Sequence, residues 1–185
     1  MQKISNDRIQ VLDLTFRVSI NREAIQSRVQ EMADQMNQHL ADKNPIFLGI
    51  LNGAFMFASD LFKHITIPCQ ITFLKLASYD GTRTTGTVKQ LIGINQELKD
   101  RTVVVLEDIV DTGITLDTII RQLNGYEPKE VLIATMLHKP EALQKDITLD
   151  YVGFEIPNEF VLGYGLDYNG YARNLPEIYT LVKDE

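Results

Sequence analysis

The chain has 185 residues and a formal net charge of −7, with 44% hydrophobic and 23% charged residues. This size and balance are typical of a globular protein with one sizeable core. The acidic balance argues against a protein that wraps duplex nucleic acid, because phosphate neutralisation needs a basic face. The single cysteine excludes an internal disulfide, and no apolar run approaches membrane-spanning length, so we expect a cytoplasmic protein.

The first third of the chain predicts short strands, a helix and a strand–turn–helix unit. Residues 1–18 alternate weakly between polar and aliphatic side chains and offer one or two strands. Apolar residues at three- and four-residue spacing predict an amphipathic helix over residues 21–43. A buried strand is predicted over residues 46–51, and the turn at Asn52-Gly53 leads into a further helix. Such a turn is a candidate anion site.

Two alternating segments, 71–79 and 88–94, predict strands joined by a long polar loop. Residues 80–87 separate them, whereas a two-residue turn would suffice to connect two such strands. A long loop without an apolar anchor is either a mobile surface segment or a lid that closes over a reactive intermediate.

The most informative stretch covers residues 101–116. Its aliphatic run, 103–106, is typical of a central parallel strand covered on both faces. The run stops at Glu107 and Asp108, which we expect at the carboxyl end of the strand, where open α/β sheets bind ligands. The segment Asp111-Thr-Gly-Ile-Thr115 then turns into a helix that is expected to begin near Thr115 or Leu116.

The residue types of this turn suit a phosphorylated sugar. Thr112 and Thr115 supply hydroxyls, and Gly113 lets backbone N–H groups approach a phosphate at the positive end of a helix. Glu107 and Asp108 would repel a phosphate, but they can accept hydrogen bonds from a sugar diol or hold Mg²⁺ through water. Each residue alone is common at strand ends and helix caps; the ordered combination is far more specific.

The remaining chain predicts a further parallel strand over residues 130–137, which would complete a right-handed βαβ unit. Lys139 follows that strand and is either a solvated turn residue or a donor to the carbonyl oxygen of a base. The last third is rich in aromatic residues. Phe160, ahead of a Gly-Tyr-Gly turn, is either a core residue or a stacking wall for a heterocycle.

The stretch 101–116 resembles the 5-phosphoribosyl-1-pyrophosphate (PRPP) signature of the type I phosphoribosyltransferases. Lys139, residues 160–168 and Arg173 are similar, in order, to the purine and pyrophosphate segments of the hypoxanthine-guanine members. The resemblance covers about residues 45–176. It implies an α/β fold with a parallel-sheet, Rossmann-like core, a small hood and a flexible antiparallel lid loop. We expect a single phosphoribosyltransferase domain over residues 1–185, with the hood contributed by about 1–18 and 150–185.

The resemblance also implies an activity. Such enzymes serve purine salvage by transferring the 5-phosphoribosyl group from PRPP to N9 of hypoxanthine or guanine, which yields IMP or GMP and pyrophosphate. The implied cofactor is Mg²⁺, and the implied assembly is a homodimer or homotetramer without nucleic-acid or membrane partners.

Roles for individual residues follow from the same resemblance. Asp111 is expected near purine N7 as the general acid/base. The expected PRPP-binding residues are Glu107, Asp108, Thr112, Gly113, Ile114 and Thr115. The expected pyrophosphate-binding residues are Asn52, Gly53 and Arg173. The expected purine-binding residues are Lys139, Phe160, Val161 and Asp167. Glu107 and Asp108 are expected to hold Mg²⁺, Asp167 is expected to help bind a second Mg²⁺, and Ser78 and Tyr79 are expected on the lid.

Two positions depart from common patterns of this family, and several rival functions stay open. Asn52 stands where many members have Lys or Arg, and Ile114 stands where some have Lys. A xanthine, adenine or uracil enzyme is the first rival, although an adenine enzyme would have less use for Lys139. An RNA-binding regulator on the same fold would need a basic surface. A P-loop or dinucleotide-binding protein would need glycine motifs that the sequence lacks.

Overall fold

The structure is a computed structural model that describes residues 1–5, 7–77, 89–94 and 96–182. The strands in this part of the chain are Gln2–Lys3 (β1), Arg8–Val11 (β2), Leu14–Ile20 (β3), Ile46–Leu51 (β4), Gln70–Ala77 (β5), Lys89–Ile92 (β6), Thr102–Val110 (β7), Glu130–His138 (β8), Tyr151–Glu155 (β9), Val161–Leu162 (β10) and Ile178–Leu181 (β11). The α-helices are Arg22–His39 (α1), Phe55–Phe62 (α2) and Ile114–Asn124 (α3).

The main sheet has the order β6-β5-β4-β7-β8-β9. Its strands from β5 to β9 pair in parallel, and only β6 pairs antiparallel, at the edge next to β5. The predicted parallel-sheet phosphoribosyltransferase core is therefore confirmed. Because β4 and β7 are central neighbours, the loops that follow them meet at the same edge of the sheet.

Helices cover both faces of this sheet, which explains the unbroken aliphatic runs in its strands. Phe47, Val104 and Leu106 pack on one face with α1 and α2. Their sequence neighbours, among them Val103 and Val105, pack on the other face with α3. The predicted helix α1 is confirmed, and Asn21 caps it by accepting a hydrogen bond of 2.9 Å from the N–H of Ala24.

The prediction that the central strand stops at the acidic pair was wrong. Strand β7 continues through Glu107 and Asp108 to Val110, because β8 provides pairing partners along that whole length, up to the pair Val110 and His138. The two carboxylates thus lie within the C-terminal part of the strand itself. Helix α3 begins at Ile114, one residue before the expected start.

A second, antiparallel sheet has the order β1-β2-β3-β11-β10 and combines the two ends of the chain. Phe16, Leu162 and Tyr179 lie in its small separate core. Strand β9 is the edge strand of the main sheet, so on the C-terminal side this second sheet begins at Val161 rather than near residue 150. The proposed lid residues Ser78 and Tyr79 lie outside the described residues, between the antiparallel strands β5 and β6.

Candidate active site

A cavity of about 330 Å³ opens at the carboxyl ends of β4 and β7. Its lining includes residues that the sequence analysis singled out: Gly53, Glu107, Asp108, Asp111, Thr112, Gly113 and Thr115. The other lining residues are apolar: Ile50, Leu51, Ile109, Val110 and Leu116. The acidic strand end and the threonine-rich turn therefore share one opening, as the sequence predicts.

The turn between β7 and α3 is held by its own packing. Gly113 has a left-handed φ of 77°, and a Cβ atom there would lie 2.9 Å from the Leu143 side chain and 3.2 Å from the Ile147 side chain. The carbonyl of Thr112 also accepts a hydrogen bond of 3.0 Å from the N–H of Gln144. Glycine is required here by conformation and by close packing, beyond the ligand approach that the sequence suggested.

Of the two adjacent acids of β7, Glu107 is buried and Asp108 is partly buried. Glu107 is 7% exposed, and burial raises its pKa well above the ordinary value, with a further increase from the neighbouring Asp108. Burial also raises the pKa of Asp108 to about 6, although the Ile109 N–H, which donates to its Oδ1 at 2.8 Å, lowers it. The charge of Arg173 lowers the same pKa, whereas Asp167 raises it.

We expect Asp108→Asn to stabilise the chain above pH 6 and to have less effect near pH 5. The folded-state pKa of Asp108 exceeds its ordinary 3.8, so the folded state binds more protons between those values and stability falls as the pH rises through this window. A shift from 3.8 to about 6 corresponds to roughly 2–3 kcal/mol of destabilisation above the window, which a neutral amide removes. Thermal unfolding of both proteins at pH 5 and pH 8 checks this, and an equal difference at the two pH values would contradict it.

Asp111 and Lys139 directly follow β7 and β8, respectively, and form an ion pair. The Lys139 Nζ lies 3.0 Å from the Asp111 Oδ2, and the side chains are 8% and 45% exposed, respectively. The ion pair gives the buried lysine an acidic partner. Asp111 keeps one open side towards the cavity, where it can contact a ligand.

The second sheet brings a basic and an acidic side chain to the same region. Arg173 Nη2 lies 2.5 Å from Asp167 Oδ1, and Arg173 Nη1 donates to the carbonyl of Gly165 at 2.7 Å. Both groups act on the pKa of Asp108, which indicates their proximity. Gly53 is tightly packed beside the same carboxyl, because a Cβ atom there would lie only 1.5 Å from Asp108 Oδ2.

Seven predicted site residues within the described part of the chain do not line the cavity: Asn52, Ile114, Lys139, Phe160, Val161, Asp167 and Arg173. Asn52 and Ile114 are exposed at its edges, next to Gly53 and Gly113. Phe160 is 42% exposed, and its ring lies 5.9 Å from that of Phe16 and 5.8 Å from that of Tyr168.

Val161 is 7% exposed and faces a separate hollow behind the second sheet, which Arg17 and Thr180 also line. It does not line the first cavity. Of Phe160 and Val161, only Phe160 presents open side-chain surface to a ligand.

The oxygen donors can accommodate a magnesium ion only together with ligand oxygens. Among the described residues, no group of three or more His, Cys, Asp and Glu side chains is arranged to hold a metal. Mg²⁺ usually takes one or two carboxylates together with waters and substrate phosphates. Glu107 and Asp108 fit that requirement, whereas the carboxylate of Asp167 already accepts from Arg173 and from the N–H of Gly170 at 2.6 Å.

Sequence patterns did not predict the apolar lining of the cavity or one buried polar contact. Ile109 and Leu51 lie in aliphatic runs whose pattern is typical of core residues, so the sequence did not distinguish them as cavity-lining residues. The hydroxyl of Tyr164 donates to Asp60 Oδ2 at 2.9 Å, and 104 residues separate the two in the chain. Neither residue carries a local signal for this contact.

Comparison with known proteins agrees with the fold. The family described as phosphoribosyl transferase domain matches residues 19–169. The chain is 37% identical to hypoxanthine-guanine phosphoribosyltransferase of Bacillus subtilis, over 89% of this chain and 92% of that protein. It is 36% identical to hypoxanthine phosphoribosyltransferase of Salmonella typhimurium, over 91% of this chain and 96% of that protein.

Solved structures agree as well. A crystal structure of a hypoxanthine phosphoribosyltransferase from Staphylococcus aureus superposes with a TM-score of 0.84 at 39% identity, covering 90% of this chain and 91% of the other. None of the helices in the described residues is long and apolar enough to cross a membrane. With most of its length matched in sequence and in fold, the chain belongs to the phosphoribosyltransferase family.

Proposed function

We propose that this chain transfers the 5-phosphoribosyl group from PRPP to N9 of a 6-oxopurine, hypoxanthine or guanine, and releases pyrophosphate. The observation that carries this proposal is the meeting of three features in one cavity. These are the turn 111–115, the adjacent acids Glu107 and Asp108, and an aspartate paired with a buried lysine. The names of the bacterial relatives support the choice of base.

The turn 111–115 holds the 5-phosphate of PRPP in this proposal. Helix α3 starts at Ile114 and directs its N-terminus into the turn, so backbone N–H groups and the positive end of the helix meet a phosphate there. The hydroxyls of Thr112 and Thr115 complete the set, and both residues line the cavity. Ile114 contributes its main chain, since its side chain is exposed.

The ribose and the leaving group lie beside the acidic pair. Glu107 and Asp108 accept hydrogen bonds from the ribose hydroxyls and would hold Mg²⁺, whereas Asp167 would have to give up its contacts with Arg173 and Gly170 to hold a second ion. Mg²⁺, when bound, supplies positive charge that favours departure of pyrophosphate. Arg173 contributes charge from the protein, and Gly53 and Asn52 contribute main chain at the same end.

Proton transfer is assigned to Asp111. As N9 of the purine bonds to C1 of the ribose, the C1–O bond breaks and its electron pair leaves with pyrophosphate. The purine must also lose a proton, which Asp111 accepts near N7. Lys139, 3.0 Å from Asp111, donates to the oxygen at purine C6, while the exposed face of Phe160 stacks on the ring and Val161 contacts it by main chain.

We expect Lys139→Ala to raise the KM for hypoxanthine and guanine by roughly tenfold to a hundredfold, as for loss of a charged hydrogen bond. The KM for PRPP should change little, because the lysine lies on the purine side of Asp111. Steady-state kinetics with each substrate varied in turn gives the comparison. Lys43→Ala is the matched control, since Lys43 pairs with Glu130 at 2.9 Å at the opposite end of β8. Equal losses for purine and PRPP would remove Lys139 from the purine site.

The proposed activity is tested by incubating the chain with PRPP, Mg²⁺ and hypoxanthine, guanine or xanthine, with the products identified by mass spectrometry. IMP and GMP are the expected products, and formation of neither would refute the proposal. Predominant XMP would favour the xanthine alternative. We further propose a cytoplasmic homodimer or homotetramer, which light scattering checks for assembly.

A further inference from the structure

Tyr164 connects the second sheet to α2, the helix that follows Asn52 and Gly53, here called the pyrophosphate loop. It lies in the turn after β10, with a left-handed φ of 49°, and its neighbours Gly163 and Gly165 have φ values of 92° and 103°. The ring is 2% exposed, and its hydroxyl donates to Asp60 on α2. A bulky residue in this conformation costs about 1–2 kcal/mol, so other contacts must hold it there.

Several hydrogen bonds hold the Asp60 carboxylate in a fixed position. Its carboxylate also accepts from Gln26 of α1 at 2.7 Å and from Lys63 at 2.6 Å. Burial would raise the pKa of Asp60, but these hydrogen bonds, together with that from Tyr164, outweigh burial and lower it. Burial and the nearby Asp60 charge raise the pKa of Tyr164, so its hydroxyl remains a donor at neutral pH.

The residue after Tyr164 contacts the pyrophosphate loop directly. A Cβ atom at Gly165 would lie 2.0 Å from the Gly53 carbonyl oxygen, so the two backbones touch. Gly165 also exchanges hydrogen bonds with Arg173: its N–H donates to the Arg173 carbonyl at 3.0 Å, and its carbonyl accepts from the guanidinium at 2.7 Å. Gly53 in turn packs against Asp108.

We propose that Tyr164 is a positioning residue whose hydrogen bond to Asp60 keeps Gly165 seated on Gly53 and thereby sets Arg173 at the pyrophosphate end of the site. The Tyr164–Asp60 hydrogen bond and the contact of Gly165 with Gly53 join the same two segments, because α2 begins two residues after Gly53. Loss of the hydroxyl releases the turn, and Arg173 moves with it. This inference rests on the proposed function, since it assigns the Gly53 and Arg173 end to pyrophosphate.

The test is Tyr164→Phe, which keeps the buried ring and removes only the hydroxyl. We expect the Kd of pyrophosphate and the KM of PRPP to rise roughly tenfold, as for one hydrogen bond to a charged acceptor, with the purine KM within about twofold of the parent value. Tyr179→Phe is the matched control. Its hydroxyl donates to Glu177 at 3.0 Å in the core of the second sheet, so its loss should leave both constants unchanged.

A second set of variants separates this role from a general loss of stability. Asp60→Asn retains an oxygen that can accept from Tyr164, so it should preserve more pyrophosphate affinity than Asp60→Ala. In the Asp60→Ala background, Tyr164→Phe should cause no further loss. An unchanged pyrophosphate Kd in Tyr164→Phe, or an equal rise in the Kd with or without Asp60, overturns the inference while the parent activity stands. A parent chain that binds neither PRPP nor pyrophosphate overturns both proposals.

Discussion

Replacement of Asp111 by asparagine is expected to lower kcat by roughly 10²–10⁴-fold, the usual worth of general acid/base assistance. Asparagine keeps the shape of the side chain but cannot accept the purine proton. PRPP should still bind, because the turn 112–115 and the adjacent acids Glu107 and Asp108 are unchanged. Kinetics with saturating purine, together with calorimetric titration of PRPP, measures both quantities.

The structure offers a close control for this variant. Glu130→Gln neutralises another carboxylate that pairs with a lysine, Lys43, at 2.9 Å, but at the far end of β8. We expect its kcat to stay within about twofold of the parent, as is usual for surface ion pairs. A kcat for Asp111→Asn that matches this control would remove Asp111 from proton transfer.

Gly53→Ala is expected to lower kcat/KM for PRPP by roughly 10²-fold, the cost of displacing a site group by about 1 Å. The added methyl would lie 1.5 Å from Asp108 Oδ2 and 2.2 Å from its Cγ, so the Asp108 carboxyl must leave its position. Asp108 Oδ1 accepts a hydrogen bond of 2.8 Å from the N–H of Ile109, so displacement of the carboxyl also disturbs this contact. Steady-state kinetics with varied PRPP measures the loss.

Gly125→Ala is the control for the glycine substitution. Gly125 ends α3 with an ordinary φ of −65°, and the nearest atom to an added Cβ is the Gln122 carbonyl oxygen at 3.2 Å. Alanine fits this backbone, and PRPP kinetics should not change. If Gly53→Ala were as active as Gly125→Ala, the contact between Gly53 and Asp108 would have no part in substrate binding.

Local sequence patterns predicted the elements of the main sheet well. The aliphatic runs in β4 and β7 alternate between two covered faces, so composition alone identified buried parallel strands. The turn 111–115 was also predictable, since the ordered combination of its aspartate, threonines and glycine is far more specific than any one of these residues alone. The end of β7 was not, because its last residues are ordered by pairing with β8, which is a tertiary property.

The contacts between the two sheets were beyond the reach of sequence reasoning. The Tyr164–Asp60 hydrogen bond joins residues that are 104 positions apart in the chain, and each partner looks like an ordinary surface or core residue in its own segment. The packing of Gly165 on Gly53 is likewise invisible in either segment alone. These contacts depend on how the second sheet docks on the first.

The most direct test of the account is a crystal structure of the chain with PRPP, Mg²⁺ and a purine analogue that cannot react at N9. We expect the 5-phosphate to lie against the backbone N–H groups of residues 112–115 and the ribose hydroxyls to face Glu107 and Asp108. We also expect the purine to lie between Lys139 and Phe160, within hydrogen-bond distance of Asp111. A phosphoribosyl group bound elsewhere, with the turn 111–115 unused, would contradict it.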